Sequence, residues 1–398
     1  MTQTHEPRDE QELVDLISQS VADRQPLELI GQASKRQLGA PLQAAQVIST
    51  AALSGVSLYE PEELVLSAGA GTPMTEIAVL LAQHNQQLAF DPIDYAGLFG
   101  SEKKGTLGGV ISCNLSGSKR LRNGAARDHI LGVRAVSGRG ELFKSGGRVV
   151  KNVTGYDLAK VVTGAFGTLA AISEITVKVL PLAETEISVL MPGVNLGSAI
   201  RAMADAMGSV NDLSAAAYLP AAVAAAIDLP EDTVMLRLEG FGASIKYRAE
   251  QVASLVSDHG SAEMLEDQAS TTVWTKVRDV APFWSHGGAV WRLSIAPGDA
   301  PQLIAQLQQE IDLRYYLDWQ GGLAWLAVPE GEDAAAGQIR RQVNVIGGHA
   351  TLVKASAQCR AHVPAFHPQS SGLAALSGRL KSQFDPENIL NPGRMGAF

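Results

Sequence analysis

The chain has 398 residues, of which 46% are hydrophobic, 18% charged and 5% aromatic, with 39 glycines in local clusters; this is a globular composition with room for two or three domains, and it excludes disordered and collagen-like classes. With 32 Lys+Arg against 41 Asp+Glu the formal net charge is -9, which argues against a nucleic-acid partner, because a broad phosphate-binding face needs an excess of cations. Cys113 and Cys359 lie far apart without a CxxC pair, so they cannot build a disulfide framework, a zinc site or an iron–sulfur cluster alone.

Residues 1–25 mix both charge signs and lack the basic start and apolar run of a secretory signal. No apolar stretch reaches the roughly 18–20 residues of a membrane span, and the nearest, Ser214–Leu229, is broken by Pro220. The expectation is a cytoplasmic chain with no membrane span. Leu13, Leu16 and Val21 predict a helix over 9–23, and Pro26 then opens a short strand, Leu27 to Ile30, ending at Gly31. Short strands are expected at 45–49, 55–59 and 64–67. A helix follows, with Thr72 as cap, Pro73 at its first position, and Ile77, Leu80, Leu81 and His84 on one face.

From Gly97 to Gly117 the chain is too glycine-rich for regular structure and reads as a shaped loop around Val110 and Ile111. Val133 to Val136 and Glu141 to Phe143 flank a hairpin turn, and the alternation of Ile175, Val177 and Val179 with Thr176 and Lys178 predicts a half-buried strand stopped by Pro181. A domain boundary is placed near 183. The 184–365 region holds all five tryptophans, helical windows at 198–207, 247–257 and 300–310, and alternations such as Val234 to Glu239 that predict antiparallel strands with one wet face. In the last segment, 366–398, Leu373, Leu376 and Leu380 form a helix stripe before the turn-rich run Phe384–Arg394.

Two common phosphate-binding signatures fail. Gly69-Ala70-Gly71 and Gly138-Arg139-Gly140 do not complete GxGxxG, and Gly100 to Gly105 has P-loop glycine spacing but Thr106 where the lysine must stand. What remains is glycine-containing turns at 31–35, 105–117 and 164–168, each beside a strand-like run. Backbone N–H groups exposed in such turns bind anions without many basic side chains, and a pyrophosphate is a suitable guest.

The segments Gly105–Ser112 (GTLGGVIS), Gly124–Gly132 (GAARDHILG), Gly146–Leu158 (GGRVVKNVTGYDL) and Gly164–Leu169 (GAFGTL) resemble, in order and spacing, the FAD-binding domain of the vanillyl-alcohol-oxidase-like, PCMH-type flavoproteins. Within them, these runs and the terminal FDPENILNPGRM look most like the FAD-binding E subunits of bacterial glycolate oxidases. The resemblance is strong over 26–183, good over 384–395 and weak over 184–365. It implies an α+β fold: a PCMH-type FAD-binding domain of two small α+β subdomains (1–183), an α+β cap domain with antiparallel sheet for substrate or subunit contact (184–365), and a C-terminal segment (366–398) returning to the FAD domain.

Carried over by position, Gly31, Gln32, Ala33, Ser34 and Lys35 match the first pyrophosphate loop, and Thr106, Gly108, Gly109 and Ser112 the second. Gly164, Gly167 and Thr168, with Ile172 behind them, match the last FAD-contacting turn. Gly108 and Gly109 would allow backbone approach, Thr106 and Ser34 would donate hydroxyls, and Lys35 would lie near the phosphates. The sequence departs from the family in a first loop poor in glycine and in Ala165 and Ala170, where serine and glycine are expected. His129 and Cys113 are the nearby residues able to tether flavin, and neither stands at the usual tethering position, so noncovalent FAD is expected.

Lys151, Asn152, Tyr156 and Asp157 are either flavin- or substrate-directed or parts of a structural turn. Arg120, Arg122 and Arg127 form a basic cluster for phosphate or an acidic substrate, or a solvated face. A hydroxyacid oxidase needs a base, and His286, His349, His362 and His367 are available, but none sits in a recognisable constellation, so no catalytic residue is assigned and no metal is expected. The resemblance implies the FAD subunit of a multisubunit glycolate oxidase, oxidising glycolate, a small 2-hydroxy acid, to glyoxylate. Electrons would pass to an acceptor other than a nicotinamide. The implied partners are a larger paralogous FAD subunit and an iron–sulfur subunit, through which the chain could reach the inner membrane peripherally. Two alternatives stand: a self-sufficient FAD-dependent 2-hydroxyacid dehydrogenase acting on D-lactate-like substrates, and an assembly subunit with a vestigial flavin site.

Overall fold

A computed structural model describes residues 3–148 and 155–396. The chain divides into two units. One comprises residues 1–116, 124–182 and 368–398, the other residues 117–123 and 183–367. The short segment 117–123, which the sequence places inside the first domain, groups with the second unit.

The first unit holds a three-stranded and a five-stranded sheet, and a two-stranded pairing of Gln86–Gln87 with Leu180–Pro181. In the three-stranded sheet, Gln3–His5, Gln46–Ser49 and Leu27–Ile30 pair in parallel. The helix Glu10–Asp23 starts where Asp9 accepts the Glu12 amide and buries Leu13 and Ile17 in a core with Leu27, Ile48, Val136 and Leu390. The five-stranded sheet is antiparallel, in the order Val56–Glu60, Val65–Gly69, Ala170–Lys178, Ile130–Ser137, Leu142–Gly146.

Several expectations change here. Ala170–Lys178 is the central strand, paired along both edges; Thr176 is buried and shares a hydrogen bond of 2.7 Å with Ser67 instead of facing water, while Glu174 and Lys178 are half-buried. Thr72 does not cap the helix Met74–Gln83; its hydroxyl donates to the Gly69 carbonyl at 2.7 Å, tying off the turn before the helix. On that helix Ile77 and Leu81 are buried while His84 is exposed. The stretch read as a shaped loop contains two short helices, Ala96–Phe99 and Leu107–Ser112, because packing of Leu98, Leu107, Val110 and Ile111 overrides glycine's weak propensity.

In the second unit an eight-stranded sheet, antiparallel in every paired ladder, packs one face on the helices Leu196–Met207, Gly242–Leu255 and Ala300–Glu310. Thr233–Gly240 lies inside this sheet, so the face expected to be wet is buried. Arg237 pairs with Glu186, and Glu239 with Lys119 at 2.6 Å, which is how charged side chains are tolerated there. In the terminal helix Ser371–Phe384 the buried residue is Lys381, and Leu373, Leu376 and Leu380 are exposed.

Candidate FAD site

Parallel pairing with Gln46–Ser49 carries Leu27–Ile30 out to Gly31, beyond which the backbone turns sharply through Ala33, at φ +61°. Among the described residues the amides of Gln32, Ala33, Ser34 and Lys35 donate to no other group. Consecutive free amides around a left-handed residue form a concavity that favours an anion. Facing them is the start of Leu107–Ser112, where the Thr106 hydroxyl accepts the Gly109 amide at 3.3 Å. The two loops touch: a Cβ on Gly31 would stand 2.4 Å from Thr106 Oγ1. Between them opens a cleft lined by both loops and by Phe166, Gly167 and Ile172.

The residues expected in the site converge on this cleft. Gly31, Gln32, Ala33, Ser34, Lys35, Thr106, Gly108, Gly109, Ser112, Gly167 and Ile172 line it, whereas Gly164 and Thr168 do not. Gly164, at φ +79°, donates its amide to the Ile111 carbonyl at 3.1 Å, and the buried Thr168 hydroxyl donates to the Ala165 carbonyl at 2.7 Å. Both shape the turn that presents Gly167.

The sequence reading gives Gly108 and Gly109 one task, and the structure separates them. The Gly108 amide is spent on the Ala70 carbonyl at 2.8 Å, and a Cβ there would come within 2.8 Å of Ala70, so this glycine lets the loop pack on the neighbouring turn. At Gly109 a Cβ would make ordinary contacts, 3.5 Å from Thr106 Oγ1 and 3.8 Å from Lys35 Nζ.

Asn391 and Arg394 also line the cleft, and the sequence reading gave neither a role although both lie in the terminal run it quoted. The Asn391 side chain accepts the Leu29 amide at 2.8 Å and donates to the Phe166 carbonyl at 2.7 Å, bracing the strand before the first loop against the turn of the third. Arg394 donates to the carbonyls of Arg36, Leu38 and Ala40 at 2.9, 3.2 and 3.3 Å and to Glu28 at 3.0 Å. Lys381 and Asp385 hold that run in place. The Lys381 ammonium donates to the Thr168 carbonyl at 2.7 Å, and Asp385 accepts the Ile389 and Leu390 amides at 3.0 and 2.8 Å.

Cys113 also lines the cleft. Burial pushes its thiol up to about 11, against the pull of Lys35 and Arg394, so it is a neutral thiol at ordinary pH. His129 lies off the cleft, its ring 5.5 Å from that of Phe90.

The remaining candidates lie elsewhere. Arg122 pairs with Asp212 at 2.6 Å and Arg120 stacks 4.5 Å over Trp319, both within the second unit, while Arg127 donates to the Lys160 carbonyl at 3.1 Å. Asp157 caps Leu158–Val162 and Tyr156 is 89% exposed; Lys151 and Asn152 lie outside the described residues. His286, His349, His362 and His367 belong to the second unit: His286 Nε2 meets the Val328 carbonyl at 2.8 Å, and His349 and His367 stand edge to face, 5.4 Å apart. Among the described residues no group of three or more His, Cys, Asp or Glu could hold a metal ion, and no helix is long and apolar enough to cross a membrane.

Paired α+β sheets with free loop amides at their edge define an FAD-binding protein of the PCMH type, and the family model for the FAD binding domain matches residues 2–146. The chain is 32% identical over 388 residues, 97% of each sequence, to glycolate oxidase subunit GlcE of Escherichia coli K12. It belongs to that family. It is also 28% identical to glycolate oxidase subunit GlcD of Bacillus subtilis over 179 residues, 44% of this chain and 36% of the relative. In fold it matches p-cresol methylhydroxylase solved with substrate bound, at a TM-score of 0.73 with 12% identity, covering 99% of this chain and 88% of that one.

Proposed function

We propose that the chain is the FAD-carrying subunit of a multisubunit glycolate oxidase, which takes two electrons and two protons from glycolate to give glyoxylate. The observation that carries this reading is the row of unpartnered amides, Gln32 to Lys35, opening on a cleft in a chain similar end to end to GlcE. Gly31, Gln32, Ala33, Ser34 and Lys35 would hold the diphosphate. Thr106, Gly109 and Ser112 would line the second side, with Gly108 setting the loop's approach, and Gly167 and Ile172 the third, supported by Gly164 and Thr168.

FAD, when bound, supplies a two-electron acceptor for the hydrogen that leaves the substrate carbon. The protein's own part is to orient and to exclude water. The cofactor is held noncovalently, since Cys113 is a neutral thiol and His129 lies off the cleft. Cys113 and Cys359 cannot hold an iron–sulfur cluster, so electrons pass to another chain. The expected partners are a larger paralogous flavin subunit, as the similarity to GlcD suggests, and an iron–sulfur subunit, with the assembly cytoplasmic or peripheral at the inner membrane. Residues 184–365 form the cap domain for substrate or subunit contact.

The test is flavin content and bleaching. The purified chain is expected to hold FAD and to be reduced by glycolate once the partner subunits are added. Bleaching of the isolated chain would assign the whole reaction to it, and a colourless protein that refuses added FAD would overturn the reading in favour of a scaffold.

A further inference from the structure

Lys35 brings a cation to the cleft that no carboxylate pairs with among the described residues. Among the described residues its side chain makes a single hydrogen bond, 3.3 Å to Ser34 Oγ, and no ion pair. The ammonium end is tucked between the two loops: a Cβ built on Gly105 would stand 2.4 Å from Lys35 Nζ and 2.7 Å from Ser34 Oγ, and one on Gly109 would stand 3.8 Å from Nζ. Gly105, at φ +92°, therefore leaves the space that the ammonium fills. The next residue shows the alternative, because Arg36 turns away to Glu28 and is paired.

A half-buried cation held between two loops without a counter-ion carries a desolvation cost, and it persists where a ligand completes it. We propose that Lys35 is the charge-selecting residue of the cleft, whose ammonium pairs with the diphosphate of FAD and makes the site discriminate against flavins that lack one. This rests on the reading of the cleft as the FAD site. The four free amides of Gln32 to Lys35 favour an anion through partial charges, whereas the ammonium adds a full positive charge that rewards the double negative charge of a diphosphate. The groups that act on it are Ser34 from its own loop, the Cys113 thiol and, through space, Asp94; Arg394 acts on Cys113. Burial holds the lysine below its ordinary range, with Cys113 and Asp94 opposing, as expected of a cation waiting for a partner.

The experiment compares the wild-type chain with Lys35→Met and Lys35→Arg, each stripped of flavin. FAD and riboflavin are titrated by quenching of flavin fluorescence, and the unfolding midpoint of each empty protein is measured. Lys35→Met is expected to bind FAD about 10- to 100-fold more weakly, to leave riboflavin binding unchanged, and to make the empty protein more heat-stable, because an uncompensated, partly desolvated charge is gone. Lys35→Arg keeps part of the FAD preference. If wild-type protein binds FAD and Lys35→Met matches it within two-fold, or loses both flavins equally, or is less stable when empty, the assignment of Lys35 is overturned. Wild-type protein that binds no FAD overturns the cleft reading instead.

Discussion

Arg394 reaches Glu28 across 366 positions of sequence, at 3.0 Å, and with the same guanidinium closes the carbonyls of Arg36, Leu38 and Ala40. Glu28 is buried and answers both Arg36 and Arg394, so the stretch that follows the free amides is clamped by the turn at Asn391–Arg394. Arg394→Met removes the clamp and takes the guanidinium donor from one buried and two part-buried carbonyls. The expected cost is about 3–5 kcal/mol, read from urea unfolding of the purified chain. A loss below about 1 kcal/mol would show that the clamp is dispensable.

Asn391 couples two loops through one side chain, so its two hydrogen bonds can be separated. Asn391→Ala loses both and is expected to destabilise the protein by about 1–3 kcal/mol and to weaken FAD binding. Asn391→Asp keeps an acceptor for the Leu29 amide but sets a carboxylate against the Phe166 carbonyl. It should be at least as damaging for flavin. Equal FAD affinity in all three proteins would refute the coupling.

Gly108 and Gly109 offer a paired comparison. Gly108→Ala meets Ala70 at 2.8 Å and is expected to lower the unfolding midpoint, whereas Gly109→Ala finds ordinary contacts and should fold normally while crowding the cleft beside Lys35. Thermal unfolding and FAD titration of the two variants should therefore move in different measures. Identical profiles would contradict the division of labour between them.

The empty protein should also respond to pH through Lys35. Its ammonium is held below the ordinary lysine range in the fold, so the unfolded chain binds more protons between the folded and the unfolded values. Stability must then rise with pH across that window and level off above it, and below it the penalty is fully present. Unfolding midpoints of the stripped chain at rising alkaline pH, with Lys35→Met as the flat reference, test the sign. A midpoint that falls in wild type relative to the variant would be the wrong direction.

Cys113 should be chemically quiet despite lining the cleft. With its thiol pushed up to about 11, alkylation by iodoacetamide at pH 7 is expected to be far slower than for an ordinary thiol. After acid precipitation of wild type the flavin should be in the supernatant, and Cys113→Ser should retain bound FAD. Flavin in the pellet would point to a covalent bond.

Much of the local structure was legible in the chain itself. The helix at Glu10–Asp23, the strand Leu27–Ile30 with its glycine stop, and the three loops that converge are written in residues a few positions apart, where apolar spacing and the absence of a Cβ act directly. The tertiary structure alone decided which amides stay free and which are spent. Gln32 to Lys35 find no acceptor, while Gly108, in a loop of similar composition, is taken by Ala70. It also decided that Thr176, Arg237 and Glu239 are covered, since alternation marks two faces of a strand but not what lies over them. The roles of Asn391 and Arg394 belong to the same class: a hydrogen bond depends on groups meeting in space, and no local propensity encodes a partner 362 residues away.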